Sequence, residues 1–506
     1  MRLIEKAESK GFRYTLLQGD AGTDVSALCY DSRKAEAGSL FVCMRGANFD
    51  SHEIIGELKE KGVKAVAVDR DCAFPEGITV IRTKDSREAL AELSAAWFDF
   101  PAEKLLTVGV TGTKGKTTTT HMLKELLEKS GKKTGLIGTN GITVGSVHTP
   151  TKNTTPESYE IQQAFADMVK EGCGAAVMEV SSQGLMLHRT GGILFDIGIF
   201  TNISPDHIGP NEHGSFEEYL GWKKKLFSQC RTALISADDE HSGEVKAAAS
   251  GCGKVFTFST GREADFTASG LRYVTEKGFV GLTFTFRGPG ENGTGTRMVP
   301  EVRVGMPGHF NEDNALAALS AAALLGAADE VLKNGLEKVR VNGRMEILLT
   351  HPFTVLVDYA HNAVSMESLL DTLREYGPKR LVVVFGCGGN RAKERRYSMG
   401  EIAGKKADLS IVTADNSRYE RVEDIIEDIL SCLKPTGGAY LTIPDRREAI
   451  FHAIREAEPG DMIAVIGKGH EDYQEINGVR THFLDREVAE EAIAARGLGK
   501  NRRNSL

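Results

Sequence analysis

The residues best suited to chemistry form the segment GTKGKTT, which spans Gly112 to Thr118. Glycines let backbone N–H groups approach phosphate oxygens closely, while Lys116 suits the β and γ phosphates of a nucleotide and Thr117 suits Mg²⁺. The usual phosphate-loop pattern begins with a glycine where this chain has Val110, so a chance glycine turn is the alternative.

The apolar run LLTVGVTG comes before the segment, and an amphipathic helix that ends near Gly131 is predicted after it. That helix should bury one face, formed by Met122, Leu123, Leu126 and Leu127.

Polar residues also follow two other apolar runs of this region. Glu179 ends the strand predicted in GAAVMEVSS, where a buried carboxylate would need a cation or a metal, although a surface residue at a strand end is the simpler alternative. Asp206, His207 and His213 follow LFDIGIFTNI, and they are predicted either to contact a metal or substrate or to cap the next turn. The lysines of WKKKLF, taken alone, indicate a solvated helix face.

Several further residues lie where ligands commonly bind. Asn311 and Asn314 precede an alanine-rich helical pattern, so N-capping is the alternative to a ligand role. Arg344 lies between the second and third predicted units, where an arginine could reach phosphates once domains close, or could be an ordinary linker residue. Arg391, Arg418 and Glu471 each follow a strand of the last unit. Opposite charges in one crevice suit a substrate that carries both an amine and a carboxylate.

The chain is long enough for several domains that would position these residues. At 506 residues, with 41% hydrophobic and 26% charged residues, it is expected to form an α/β protein of three domains. Residues 1–101 read as a small α/β domain, and residues 102–345 read as a central domain of the phosphate-loop ATPase type. In residues 346–506 four apolar runs, each ending in polar or glycine-rich residues, predict a Rossmann-like doubly wound sheet.

Charge and composition exclude some classes of function. A net charge of −8 over this length gives no broad basic surface, so nucleic acid is not an expected partner. The eight cysteines form no CxxC pair, and no signal peptide or long apolar run is present, so we expect a reduced cytoplasmic protein without membrane insertion.

Taken together, the motifs resemble those of the Mur ligases in collinear order over nearly the whole chain. Within that family the likeness is greatest to enzymes that add the third residue of the peptidoglycan stem peptide to UDP-N-acetylmuramoyl-L-alanyl-D-glutamate. The motifs that carry the resemblance are DSR with GSLFVCMRG, GTKGKTT, NTTPE, MEVSS, FTNISPDH, GHFNEDNALAA, NGRME, VDYAH, DNSR and GKGHE.

The resemblance implies four groups of site residues. Lys223 would become a carbamate by reaction with CO₂, which reverses the solvated reading of WKKKLF, and Lys116, Lys223, His207 and Arg344 would be catalytic. ATP would be bound by Gly112, Thr113, Lys114, Gly115, Lys116, Thr117, Thr118, Asn314, Arg344 and Asp358, and Mg²⁺ by Thr117, Glu179, His207 and the Lys223 carbamate. The UDP-muramoyl dipeptide would be bound by Tyr30, Ser32, Ala47, Asn48, Phe49, Asn153, Thr154, Thr155, Ser181 and Arg189. The incoming amino acid would be bound by Arg391, Asp415, Asn416, Ser417, Arg418, Gly467 and Glu471.

The implied function is an ATP-dependent amide ligase of cell-wall precursor synthesis, acting as a monomer. The γ-carboxylate of the D-glutamate would first be phosphorylated, and the amine of a diamino acid would then displace phosphate. Because the acyl phosphate is hydrolysable, the domains are expected to close over it.

Three departures bear on which diamino acid is added. The chain has DNSR where enzymes for meso-diaminopimelate usually have DNPR, Asn390 where aspartate is usual, and Leu187 where a polar contact is common. Arg418 is retained, and an arginine suits the distal carboxylate of diaminopimelate better than the amine end of lysine. Diaminopimelate is therefore expected, with L-lysine or another diamino acid as the alternative.

Three rival functions would use only some of these motifs. A folylpolyglutamate-type ligase would share the central domain but would have no role for DSR with GSLFVCMRG. A phosphate-loop switch or motor would hydrolyse ATP without an amine or a carboxylate substrate, and an inactive scaffold would not need an intact Lys116, Thr117 and Glu179.

Overall fold

The chain divides into two compact units, Met1–Asp265 and Phe266–Leu506. The computed structural model describes residues 1–46, 49–205, 208–209, 212–290 and 295–498. Each unit combines helices with a sheet of mainly parallel strands, as expected for an α/β protein, and the second unit also contains antiparallel strands. The domain boundaries placed after residues 101 and 345 remain predictions.

The first unit begins with a five-stranded sheet whose order is β1-β5-β4-β3-β2, with only β1 antiparallel to its neighbour. The strands are β1 Thr15–Gln18, β2 Ala27–Cys29, β3 Ser39–Val42, β4 Ala65–Val68 and β5 Thr79–Arg82. Helices α1 (Leu3–Glu8) and α3 (Ser86–Trp97) cover one face, and α2 (Ile55–Glu60) covers the other. Side chains alternate between the faces, so Leu40 packs toward α1 and α3 and Phe41 packs toward α2.

A larger sheet follows in the same unit, with the order β13-β12-β11-β6-β10-β7-β8-β9. Its strands are β6 Leu106–Thr111, β7 Thr134–Gly138, β8 Gly141–Val144, β9 Val147–Thr149, β10 Ala175–Glu179, β11 Phe195–Phe200, β12 Cys230–Ser236 and β13 Lys254–Ser259. The associated helices are α4 Lys116–Lys129, α5 Ser158–Lys170, α6 Ser182–Met186, α7 Phe216–Lys224 and α8 Ser242–Ala248. Strands β10, β6 and β11 are parallel neighbours, so the segments that follow them meet at one edge of the sheet.

The second unit opens with three antiparallel strands, β14 Phe266–Glu276, β15 Phe279–Pro289 and β16 Thr296–Val304. Strands β15 and β16 pair as far as Pro289 and Thr296. Helices α9 (His309–Leu324) and α10 (Asp329–Asn334) come next. Asn311 and Asn314 lie inside α9 rather than before it, so the N-cap alternative was wrong.

A six-stranded sheet with the order β17-β18-β22-β19-β20-β21 completes the second unit, and only β17 is antiparallel. Its strands are β17 Glu346–Leu349, β18 Thr354–Asp358, β19 Leu381–Phe385, β20 Leu409–Val412, β21 Tyr440–Thr442 and β22 Met462–Ile466, with a separate hairpin of β23 Tyr473–Ile476 and β24 Val479–His482. The helices are α11 Ala363–Arg374, α12 Glu394–Lys406, α13 Val422–Leu433, α14 Arg446–Arg455 and α15 Asp485–Ala495. The four apolar runs form β18, β19, β20 and β22, which confirms the doubly wound sheet.

All eight cysteines lie in the described part of the chain, and none of them forms a disulfide. Across the same residues, no helix has both the length and the apolar character needed to cross a membrane.

Candidate active site

The phosphate loop lies between β6 and α4, as the sequence predicts. Gly112 has a φ of +155°, and a Cβ there would lie 2.0 Å from Oγ1 of Thr201, so only glycine fits. Thr113 N and Lys114 N donate to the carbonyl and side-chain oxygens of Asn202, which anchors the loop on the end of β11. Helix α4 begins at Lys116, directly after Gly115, and its first turn includes Thr117 and Thr118, both buried.

Two lysines converge on one carbonyl of this loop. Nζ of Lys116 donates to Gly112 O at 2.8 Å and to Thr113 O at 3.1 Å. Nζ of Lys223, at the end of α7, donates to the same Gly112 oxygen at 2.8 Å and lies 4.5 Å from the centre of the Tyr219 ring. The Lys223 side chain is buried, so the solvated reading of the lysine run was wrong for this residue. Two ammonium groups that share one carbonyl oxygen concentrate positive charge at this end of the loop.

Glu179 is a buried carboxylate beside the first turn of α4. It ends β10, and its Oε2 accepts hydrogen bonds from Oγ1 of Thr117 at 2.9 Å and from Oγ1 of Thr139 at 3.2 Å, while Oε1 accepts from Thr139 N at 2.8 Å. Burial raises the pKa of Glu179, and the charge of Lys116 opposes that shift. The simpler alternative of a surface residue was therefore wrong.

Only part of the predicted metal set can be placed. His207 and Asp206 are outside the described residues, whereas His213 is buried, with Nε2 at 2.8 Å from Oγ of Ser182. In the ranges that the structure describes, no three or more histidine, cysteine, aspartate and glutamate side chains are grouped to hold a metal ion. Thr117 and Glu179 are the placed members of the predicted set.

A cavity of about 960 Å³ in the first unit contains four of the residues predicted for the UDP substrate. Tyr30, Ser32, Phe49 and Asn153 line it, whereas Ala47 and Asn48 lie outside the described residues. The cavity wall also holds four cationic and three carboxylate side chains, namely Arg33, Lys34, Arg87, Lys152, Asp31, Glu157 and Glu160. Cations of this kind suit a diphosphate.

The hydroxyl of Tyr30 donates to Oε1 of Glu160 at 2.5 Å. Burial and the neighbouring Glu160 carboxylate raise the pKa of Tyr30, so the phenol remains a donor. The contact joins the first sheet to α5 across 130 positions of the chain.

The remaining residues predicted for the muramoyl dipeptide form a hydrogen-bonded group beside Glu179. Oγ1 of Thr154 lies 3.0 Å from Oγ1 of Thr139, which itself contacts Glu179. Thr155 is buried and donates to Glu179 O at 3.0 Å, while Ser181 caps α6.

Arg189 is held in this group by Glu157. Its Nε donates to Oε1 of Glu157 at 2.9 Å, Nη2 lies 2.6 Å from the same oxygen, and Nη1 donates to Thr155 O at 3.0 Å. Glu157 also lines the cavity, so these residues connect the cavity with the end of β10.

Three of the residues predicted for ATP lie in the second unit. Asn314 is buried in α9 and donates through Nδ2 to Oδ1 of Asn311 at 3.0 Å. Asp358 ends β18, and its carboxylate accepts from Met345 N at 2.8 Å and from Ala360 N at 2.7 Å. Burial raises the pKa of Asp358, and the charge of Arg344 opposes the shift. Arg344 therefore lies beside the end of β18.

The residues predicted for the amino acid meet at the carboxyl edge of the six-stranded sheet. Asn416 donates through Nδ2 to Oε2 of Glu471 at 2.8 Å and accepts at Oδ1 from the buried Lys468 at 3.1 Å. Gly467 has a φ of +114°, and a Cβ there would lie 2.9 Å from Oδ2 of Asp415. Ser417, the third residue of the DNSR segment, is also buried.

Two arginines flank Gly388 in the same site. A Cβ at Gly388 would lie 3.3 Å from Nη1 of Arg418 and 3.9 Å from Cγ of Arg391. Nη1 of Arg418 also donates to Gly389 O at 2.6 Å, whereas Arg391 is exposed. With Glu471 nearby, the edge carries both signs of charge, as the sequence predicts.

Arg446, on α14, stabilises this edge of the sheet, and it is not among the residues that the sequence predicts for the site. It is fully buried with Asp485, to which its Nε and Nη2 donate at 2.7 and 2.6 Å. Its Nη1 donates to Ala414 O at 3.1 Å, and its Nη2 donates to Ile466 O at 2.9 Å. These carbonyls directly precede Asp415 and Gly467, so one side chain joins both site segments. No local pattern distinguishes Arg446 from an ordinary helix arginine. Lys468 was also not among the predicted site residues, although its place in the GKGHE motif could have indicated it.

Comparisons with known proteins cover nearly the whole chain. Residues 24–98 match the catalytic domain of the Mur ligase family, residues 110–322 match the Mur ligase middle domain, and residues 343–469 match the glutamate ligase domain of Mur ligases. The UDP-N-acetylmuramoyl-L-alanyl-D-glutamate--2,6-diaminopimelate ligase of Clostridium perfringens is 38% identical over 493 residues, covering 96% of this chain and 98% of the relative.

Solved structures agree with the sequence matches. A structure of a UDP-N-acetylmuramoyl-L-alanyl-D-glutamate--2,6-diaminopimelate ligase is similar with a TM-score of 0.73 and 30% identity, covering 94% of this chain and 95% of the other. The MurF ligase of Thermotoga maritima in complex with ADP shares the fold at 19% identity, with a TM-score of 0.57 over 93% of this chain and 99% of the other. The chain belongs to the Mur ligase family and has its three-domain α/β fold.

Proposed function

We propose that this chain is an ATP-dependent amide ligase that joins meso-diaminopimelate to the D-glutamate of UDP-N-acetylmuramoyl-L-alanyl-D-glutamate. The near full-length similarity to ligases of that name supports the assignment. The observation that carries the chemistry is the ammonium group of Lys116 on the phosphate loop, close to the buried carboxylate of Glu179. This arrangement provides positive charge where a phosphoryl group would gather negative charge.

The reaction has two steps. The γ-carboxylate of the D-glutamate attacks the γ phosphorus of ATP, a new C–O–P linkage forms, and ADP leaves. The amine of diaminopimelate then attacks the acyl carbon, inorganic phosphate leaves with the electron pair of the C–O bond, and the amine loses a proton. Lys116 and the backbone N–H groups at the start of α4 stabilise the negative charge on the phosphoryl oxygens in the first step.

Mg²⁺ would be held by Thr117 and Glu179. A hydroxyl and a carboxylate are the oxygen donors that Mg²⁺ prefers, and the pKa of Glu179, raised by burial, indicates a carboxylate that gains from a nearby cation. When bound, the ion supplies charge stabilisation to the phosphates. His207 is proposed to contribute to the same metal site.

A carbamate on Lys223 would reverse the sign of its charge. The neutral amine would attack CO₂, forming an N–C bond and releasing a proton. The bare ammonium shares Gly112 O with the ammonium of Lys116, so the modification would replace a repulsion between like charges by an attraction. The resulting anion would attract Mg²⁺ where the ammonium would repel it.

The UDP-muramoyl dipeptide is assigned to the cavity and to the group of residues that continues from it. Tyr30, Ser32 and Phe49 would contact the nucleotide, together with Ala47 and Asn48. Asn153, Thr154, Thr155, Ser181 and Arg189 would hold the dipeptide, near Glu179. The cationic lining of the cavity supports a diphosphate ligand.

Diaminopimelate is assigned to the edge formed by the DNSR segment, Arg391, Gly467 and Glu471. Glu471 and Asp415 suit an ammonium group, and the two arginines that flank Gly388 suit a carboxylate. Asn314, Arg344 and Asp358 are assigned to the nucleotide.

Phosphate release distinguishes the candidate functions. We expect ADP and phosphate to form only when ATP, the UDP-muramoyl dipeptide and diaminopimelate are all present. Faster turnover with L-lysine than with diaminopimelate would favour the alternative that the DNSR segment raises. Steady turnover with ATP alone would contradict ligase activity and favour a nucleotide-driven switch.

We further propose that the enzyme acts as a monomer in the cytoplasm. The eight cysteines without disulfides are consistent with a reducing compartment. Light scattering coupled to size exclusion is expected to give a mass near 54.9 kDa, and a mass of twice that value would contradict a monomer.

A further inference from the structure

Tyr359 contacts groups that the proposed function assigns to two different substrates. It follows Asp358 at the end of β18, and its hydroxyl donates to Oε1 of Glu471 at 3.3 Å. The Cζ atom of Arg344 lies over the Tyr359 ring, 4.9 Å from its centre. The Tyr359 side chain therefore contacts Glu471, which is assigned to the amino-acid substrate, and Arg344, which is assigned to the nucleotide.

The backbone around Tyr359 leaves the ring little freedom. A Cβ at Gly469 would lie 2.7 Å from Cβ of Tyr359, and a Cβ at Gly343 would lie 2.2 Å from His470 N. The His470 ring packs against the Tyr359 ring, with centroids 4.9 Å apart. Three segments are thus in direct contact, and glycines at two of them allow the approach.

The carboxylate of Glu471 has a donor on each oxygen. Oε2 accepts from Asn416 at 2.8 Å and lies 3.5 Å from Nζ of Lys468, and Oε1 accepts from Tyr359. Asn416 is itself fixed by Lys468 and by Glu475 N, which donates to its Oδ1 at 3.0 Å. Tyr359 is therefore the donor that sets the orientation of Oε1.

The ring provides a second support, for Arg344. A guanidinium over an aromatic face is stabilised by the ring quadrupole. Burial and the charge of Arg344 lower the pKa of the adjacent His470 to about 4, so His470 is neutral at pH 7 and Arg344 carries the positive charge at this place.

We propose that Tyr359 is a positioning residue that orients Glu471 toward the amine of the incoming amino acid and supports Arg344 on the nucleotide side. This role rests on the proposed ligase function. The hydroxyl contacts Glu471 and the ring contacts Arg344. Substitutions that remove the hydroxyl alone, or the hydroxyl and the ring together, can therefore separate the two roles.

Steady-state kinetics of two variants test the separation. Tyr359→Phe keeps the ring and removes the hydroxyl, so KM for diaminopimelate should rise roughly tenfold while KM for ATP stays within about twofold. Tyr359→Leu also removes the ring, so kcat should fall at least about fivefold further as Arg344 loses its support.

Tyr376→Phe is the matched control. Its hydroxyl, in the same unit, donates to Gly281 O at 3.1 Å and accepts from Gly308 N at 3.4 Å. Losing these bonds should lower the thermal midpoint but leave both KM values unchanged.

A double-mutant cycle identifies the partner of the hydroxyl. In a Glu471→Ala background, Tyr359→Phe should raise KM for diaminopimelate less than about threefold, because the acceptor of the hydroxyl is gone. Two results would overturn the role of Tyr359. One is a full tenfold rise in KM for diaminopimelate when Tyr359→Phe is made in that background. The other is an unchanged KM when Tyr359→Phe is made alone and the wild type is active. If the wild type releases no phosphate with diaminopimelate, the proposed function itself fails, and that result is distinct from the other two.

Discussion

Oγ1 of Thr117 donates a hydrogen bond of 2.9 Å to the buried carboxylate of Glu179, so the first turn of α4 and the end of β10 share one group. If this pair holds Mg²⁺, Glu179→Gln should lower kcat about 10- to 100-fold and raise the Mg²⁺ concentration needed for half-maximal rate. Thr117→Ser keeps the hydroxyl and should stay within about threefold of the wild type. An unchanged magnesium dependence in Glu179→Gln would contradict the assignment.

Removing Lys223 tests the carbamate. Lys223→Ala should lower kcat at least about tenfold, and added bicarbonate should stimulate the wild type but not the variant. Lys224 is the control, because its Nζ pairs with Oε2 of Glu244 at 3.2 Å and its side chain is partly exposed. Lys224→Ala should respond to bicarbonate as the wild type does. Unchanged activity in Lys223→Ala would sink the carbamate proposal.

Ser417 replaces the proline of the usual motif and is buried, with no hydrogen-bond partner for its hydroxyl among the described residues. A buried hydroxyl without a partner costs free energy, so Ser417→Ala should raise the free energy of unfolding by about 1 kcal/mol. Urea denaturation measures this change. Phosphate release with diaminopimelate should stay within about twofold; a tenfold loss would show that the hydroxyl contacts the substrate instead.

His121, on α4, should make stability depend on pH. Burial, with smaller contributions from Lys124 and His148, lowers the pKa of the imidazole to about 4. The unfolded chain binds this proton below about pH 6.5 and the folded chain does not, so stability is complete above pH 6.5 and falls as the pH drops toward 4. The loss amounts to as much as about 3 kcal/mol.

Urea denaturation at pH 7.5 and pH 5 checks this dependence. His121→Gln cannot gain a charge and should show a smaller fall between the two pH values than the wild type. His309→Gln changes a mostly exposed histidine and should fall as the wild type does. An equal fall in all three proteins would show that His121 is not the source.

The elements that local pattern specifies were predictable. The strand, loop and helix around Lys116 follow from hydrophobic periodicity and from the glycines and the lysine placed between the strand and the helix. The polar ends of β18, β20 and β22 had to meet because the carboxyl ends of parallel strands lie at one edge.

Long-range packing explains what the residue patterns alone could not predict. The lysine run indicated a solvated face, but Lys223 is buried because α7 packs against the loop, and only the family resemblance pointed to it. Glu160 contacts Tyr30 across 130 positions, and Arg446 reaches two strand ends from α14. Such contacts leave no trace in a local window of sequence.

The buried pair of Arg446 and Asp485 has a consequence for how substrate preference can change. Arg446 binds the main-chain carbonyls of Ala414 and Ile466, and every residue type offers a carbonyl at those places. The side chains that follow, including Ser417, can therefore be exchanged without loss of the anchor. A loop transplanted from a relative that selects another diamino acid would accept the same hydrogen bonds from Arg446. Substrate selectivity can therefore change while the main-chain anchor stays the same.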